Sequence, residues 1–134
     1  MITLGTQIAV DLYDCDSTVD LNDVDFVGAC LLRAAKAGDA TIVTDCFHHF
    51  SPHGVSGVVV IAESHIAIHT WPEYQFAAVD IFTCGDSCDP EKMRLSLLDS
   101  FKAQRCEVQQ HSRGAFPSVK PSTYTPEPPI TEDD

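Results

Sequence analysis

The sequence predicts an α+β fold: a two-layer α/β sandwich in which an antiparallel sheet carries two helices on one face. Three observations predict it. Apolar residues alternate with a period of two in several separate stretches and recur at helical spacing in two others. The links between the middle strands are short, so neighbours pair most simply as an antiparallel meander. Finally, 134 residues, 44% of them hydrophobic, suit one domain with a single core.

The elements follow in order. "TQIAVDLYDC" alternates Ile8, Val10 and Leu12 with polar partners, the pattern of a half-buried strand. A helix is predicted from about Asn22 to Ala37: acidic residues lead, Val24, Val27 and Leu31 follow at helical spacing, and Gly38 sits at the C′ position. "ATIVTDCFHHF" and "VSGVVVIAES" are strands divided by the turn-like "SPHG". "HIAIHTW" is a third strand, stopped by Pro72, and "QFAAVDIFTC" a fourth. In the next segment Asp89 is placed to cap a helix with Pro90 at its first position, and Met93, Leu97, Leu98 and Phe101 form its apolar face. "RCEVQQHS" closes the order β-α-β-β-β-β-α-β.

The folded domain is expected over residues 1–114, and the proline-rich, acidic stretch 115–134 as a disordered tail. With both helices on one face, the other face of the sheet is left open. Val58 to Ile61 and Phe76 to Val79 are continuous apolar runs, so a partner is expected there, most simply a second copy packed sheet to sheet.

A net charge of −12 argues against nucleic acid or an anionic membrane surface as partner. The amino-terminal segment lacks the basic region of a signal peptide, and no apolar run approaches the roughly 20 residues of a membrane span. A cytoplasmic location is therefore expected, with the six cysteines as thiols. Their spacing contains no CxxC pair, which argues against a structural zinc site.

Chemistry is concentrated in "GVVVIAESHIAIHTWPEYQFAAVDIFTCG", Gly57 to Gly85, where Glu63, Ser64, His65, His69 and Glu73 interrupt the apolar run. His65 and His69 would share a metal on a helix, but four residues of strand span about 13 Å, too far for one ion. No metal site is expected. A Ser64–His69 hydrolase lacks the GxSxG elbow. Each of these histidines, and Cys84, read singly, is better taken as an ordinary structural residue. Together they suggest another chemistry. A serine between an acidic residue and a histidine, at a break between apolar strands, can attack its own preceding carbonyl. The Ser64 hydroxyl would displace the Glu63–Ser64 amide in an N-to-O acyl shift, given a distorted peptide and a stabilised oxyanion. Elimination of the Glu63 carboxylate and loss of ammonia would then leave a pyruvoyl cap.

"GVSGVVVIAESH", "IHTWPEY" and "AAVDIFTCGD" closely resemble the short prokaryotic type of S-adenosylmethionine decarboxylase proenzyme, and the likeness runs from "LGTQIAVDLYDCD" to about Arg113. The sequence departs from the resemblance at His49, where family members often carry a basic residue. The resemblance implies cleavage between Glu63 and Ser64 into a β chain, residues 1–63, and an α chain, residues 64–134. Ser64 would become the pyruvoyl cofactor, with no metal needed, and would form a Schiff base with the substrate amine. His69 would assist processing, Ser56 would support that step by hydrogen bonding, and Cys84 would protonate the product carbon. The resemblance also implies a homodimer, or dimer of αβ heterodimers, with active sites shared between subunits.

S-adenosylmethionine presents a sulfonium cation and an adenosine. Phe50 and Trp71 flank the reactive strands and could offer aromatic faces to the cation, and Glu73 could accept from ribose hydroxyls; the alternatives are core packing for the two rings and a turn carboxylate for Glu73. Two rival readings stay open: a pyruvoyl-dependent arginine or ornithine decarboxylase, and an unprocessed, non-catalytic regulatory subunit.

Overall fold

The computed structural model describes residues 2–85 and 88–117. The elements come in the expected order: β1 (Ile2–Cys15), α1 (Val24–Ala37), β2 (Ile42–His49), β3 (Val55–Ile61), β4 (Ser64–Trp71), β5 (Phe76–Cys84), α2 (Pro90–Phe101) and β6 (Ala103–Phe116). A single 3-10 turn, Pro72–Tyr74, joins β4 to β5. The six strands form one antiparallel sheet in the order β2-β3-β4-β5-β1-β6. Most of the expected tail lies outside the described residues; its first two positions, Ala115 and Phe116, end β6.

Both helices lie against the same face. Val27, Leu31 and Ala34 from α1 and Met93, Leu97 and Phe101 from α2 pack with Val10, Leu12, Ile66, Ile68, Val79 and Ile81 into one core. Alternation along the strands decides which side chains join it. In β5, Ala77, Val79, Ile81 and Thr83 are buried while Ala78, Asp80, Phe82 and Cys84 point to the open face. The apolar run in β3 is split the same way, with Val59 and Ile61 in the core and Val58 and Val60 opposite. The open face is therefore mixed. Its middle rows carry Val58, Val60, Ala67 and Ala78 beside Ser56, His65, His69 and Asp80.

Helix α1 begins two residues later than expected. Asp23 is its cap, accepting from the backbone N–H of Asp25 and Phe26, so Asn22 lies outside the helix. Its end falls at Gly38 as expected, for a different reason. Gly38 has φ −87°, and the left-handed residue is Asp39, φ 57°. A Cβ on Gly38 would sit 2.6 Å from Met93 Cγ and 2.8 Å from the Asp89 carbonyl, so close packing against the start of α2 demands glycine there. Asp89 caps α2 and Pro90 opens it, as the sequence indicates. Among the described residues no helix is long and apolar enough to cross a membrane.

Candidate active site

The β3–β4 hairpin organises the candidate residues. Ile61 faces Ser64, so Ala62 and Glu63 form a two-residue turn between the strands. Glu63 adopts φ 62°, a left-handed conformation costing a non-glycine residue about 1–2 kcal/mol. The turn is tied down on one side, where the Ala62 N–H donates to the Thr41 carbonyl at 2.9 Å. Ser64 follows directly and is buried, and its Oγ has no hydrogen-bond partner among the described residues. A buried hydroxyl left unpaired costs about 1–3 kcal/mol and calls for a functional explanation. Both lone pairs are available for chemistry on the adjoining peptide.

Cys84 belongs to the same end of the sheet. His65 pairs with Phe82, so the last residues of β5, Thr83 and Cys84, flank the beginning of β4. Cys84 is half-buried on the open face. Cys15 and Cys30 lie in the core, where burial raises the pKa of Cys15 to about 11 and pushes that of Cys30 upward.

A second group gathers at the opposite end of the hairpin. Ser56 and His69 face each other across β3 and β4, with Ser56 Oγ 2.8 Å from His69 Nδ1. Trp71 lies beyond His69 with ring centroids 6.4 Å apart, and Glu73 follows in the 3-10 turn. Phe50 ends the β2 side of the loop that leads into β3. Trp71 is 40% and Phe50 47% exposed, so neither ring is spent on the core. Tyr13, Trp71, Tyr74 and Phe76 line an aromatic hollow of about 410 Å³ at this end.

The fold thus places Glu63, Ser64 and Cys84 at one end of the sheet, Ser64 toward the helices and Cys84 on the open face, and Ser56, His69, Phe50, Trp71 and Glu73 at the other. It does not join the two groups within one chain. Ser64 and His69 are five residues apart on one strand, about 16 Å. Their side chains also point to opposite faces. His65 and His69 both lie on the open face of a strand, and the His65 ring stacks on Phe82 at 5.9 Å. Among the described residues no three His, Cys, Asp or Glu side chains could hold one metal ion.

Two polar residues at the His69 end escaped the sequence reading. Thr70 is buried; its Oγ1 accepts from the Val55 N–H and donates to the Leu21 carbonyl. Asn22 Oδ1 accepts from the Gly54 N–H and lies 2.9 Å from His49 Nε2. The partners are far away in sequence, so no local pattern announces these bonds.

One sheet backed by two helices defines the class, a two-layer α+β sandwich, and its candidate reactive position is the serine that follows the strained turn at the start of an inner strand. The chain belongs to the S-adenosylmethionine decarboxylase family, whose sequence model matches residues 6–114. It is 54% identical over 114 residues to the S-adenosylmethionine decarboxylase proenzyme of Acidithiobacillus ferrooxidans, covering 85% of each chain. The proenzyme of Fervidobacterium nodosum is 50% identical over 119 residues, covering 89% of this chain and 86% of the relative. The crystal structure of the adenosylmethionine decarboxylase from Aquifex aeolicus superposes with a TM-score of 0.79 at 34% identity, covering 91% of this chain and all of that one.

Proposed function

We propose that this chain cuts itself between Glu63 and Ser64 and, as a pyruvoyl enzyme, decarboxylates S-adenosylmethionine to CO₂ and the aminopropyl donor of spermidine synthesis. The observation that carries this reading is Ser64, a buried hydroxyl without a partner immediately after a left-handed, non-glycine residue. Strain at Glu63 raises the energy of the scissile peptide, and the unpaired Oγ belongs to the residue next to its carbonyl.

Processing proceeds by an acyl shift, an elimination and a hydrolysis. Ser64 Oγ bonds to the Glu63 carbonyl carbon, the C–N bond breaks, and the hydroxyl proton ends on the freed amine. A base removes the Ser64 α-proton, and the Glu63 carboxylate leaves. Water replaces the nitrogen, releasing ammonia and leaving a ketone at the head of the fragment 64–134. His69, oriented by Ser56 at 2.8 Å, is suited to be that base. Since it stands about 16 Å along the strand from its own Ser64, the role falls to His69 of a second copy. Two sheets packed open face to open face, as a dimer of αβ heterodimers, would make each site from two chains.

When formed, the pyruvoyl group supplies a ketone conjugated to an amide, which accepts the electron pair left by loss of CO₂. The remaining roles fall to side chains. Cys84 delivers a proton to the substrate carbon, which keeps the proton off the cofactor carbon. The exposed faces of Phe50 and Trp71 attract the sulfonium, each by about 0.5–2 kcal/mol. Glu73 accepts from the ribose hydroxyls. The test is CO₂ release from carboxyl-labelled S-adenosylmethionine, arginine and ornithine by the purified protein. Release from S-adenosylmethionine alone is expected; release from either amino acid without S-adenosylmethionine turnover would overturn the assignment.

A further inference from the structure

The loop bearing Phe50 is held by the segment that precedes α1. Its own closure is a single backbone bond, the Phe50 N–H donating to the Gly54 carbonyl at 2.8 Å. From outside, Asn22 Oδ1 accepts from the Gly54 N–H at 2.8 Å. A backbone N–H can only donate, so this contact fixes the carboxamide with its oxygen toward the loop. The same oxygen lies 2.9 Å from His49 Nε2, which must therefore carry the hydrogen. One acceptor thus grips both stems of the loop, at residue 49 and at residue 54. The preceding residue extends the grip, because the Leu21 carbonyl accepts from Thr70 Oγ1. Thr70 in turn accepts from the Val55 N–H. Two consecutive residues, Leu21 and Asn22, thereby fasten the loop before Ser56 and the strand position after His69.

We infer that Asn22 is a positioning residue for substrate binding: it holds the β2–β3 loop so that the Phe50 ring stands at the His69–Trp71 end of the sheet. This rests on the functional reading above. Asn22 reaches no candidate reacting atom itself, and its side chain is not used to cap α1, since Asp23 does that. The Phe50 ring meets His48 edge-on, with centroids 4.6 Å apart. The ring is otherwise exposed, so its place depends on the backbone that the clamp secures.

The test compares self-cleaved wild-type protein with Asn22→Leu, which keeps the approximate volume and removes the acceptor, and Asn22→Asp, which keeps it. In Asn22→Leu, KM for S-adenosylmethionine should rise about tenfold with kcat within about threefold, and Asn22→Asp should restore KM to within about threefold of wild type. An unchanged KM in Asn22→Leu with a lowered melting temperature would show a purely structural role and overturn the inference. Equal losses in Leu and Asp variants would overturn it too. Should Asn22→Leu not fold, His49→Leu removes one arm of the clamp; a rise in KM of about threefold is expected, and no rise counts against the inference. Amide exchange at Phe50 and Gly54 separates this inference from the functional reading. If wild-type protein proved inactive on S-adenosylmethionine, the reading would fall. Faster exchange at both amides in His49→Leu or Asn22→Leu would still support the clamp, and unchanged exchange would sink it.

Discussion

Glu63 occupies a backbone conformation that glycine adopts without cost, and a carboxylate residue there places strain beside the peptide proposed to break. Glu63→Gly should relieve that strain and slow cleavage about tenfold, while Glu63→Gln, which keeps the side-chain length, should cleave faster than Glu63→Gly. Timed gel analysis of freshly synthesised chain checks both; Glu63→Gly cleaving as fast as wild type would remove strain from the account. In the proposed mechanism Cys84 belongs to a later step. Cys84→Ala should lose turnover or inactivate during it, as misplaced protonation converts the ketone of the fragment 64–134 to an amine. Mass spectrometry of that fragment after turnover reads the change directly, and sustained normal activity would refute the role.

Among the elements, β2 and β3 pair along a backbone ladder in which one aromatic ring demands glycine opposite it. Phe47 lies across Gly57, where an added Cβ would stand 2.0 Å from Phe47 Cδ1. The ring is also close to Gly28 of α1, 3.3 Å from the position of a Cβ there, so it has little room to yield. Gly57→Ala should cost about 1–3 kcal/mol and lower the urea midpoint without changing the slope of unfolding. The strands and their order along the chain were legible in the sequence because buried and open positions alternate so regularly in β1, β3, β4 and β5, whereas the insertion of β1 between β5 and β6 has no local signal. β6 was read too short because nearly all its residues are exposed, and its length is set by pairing along β1, which no local pattern reports. The start of α1 was misplaced for a similar reason, since Asn22 is engaged with Gly54, 32 residues away. The separation of Ser64 from His69 emerges only with the strand register, whereas the serine, histidine and cysteine, as candidates, were legible from their motifs. Thr70 was not, because its bond to Leu21 spans 49 residues.

At the scale of the whole molecule, the separation of the two residue groups turns the functional proposal into a statement about assembly. A chain with Ser64 but no His69 and a chain with His69 but no Ser64 are each expected to be inert alone. Mixed as unfolded chains and refolded together, Ser64→Ala and His69→Ala proteins should form some hybrid dimers in which the His69→Ala chain is cut and active. Absence of any cleavage in the mixture, with dimers formed, would return the base to the same chain or to another residue. The most direct measurement concerns the bond itself: denaturing mass spectrometry of active wild-type protein beside Ser64→Ala. The account predicts two wild-type fragments, residues 1–63 and 64–134, the second blocked at its amino-terminus by a ketone, and an intact, inactive Ser64→Ala chain. An active wild-type protein that remains one uncut chain would contradict it.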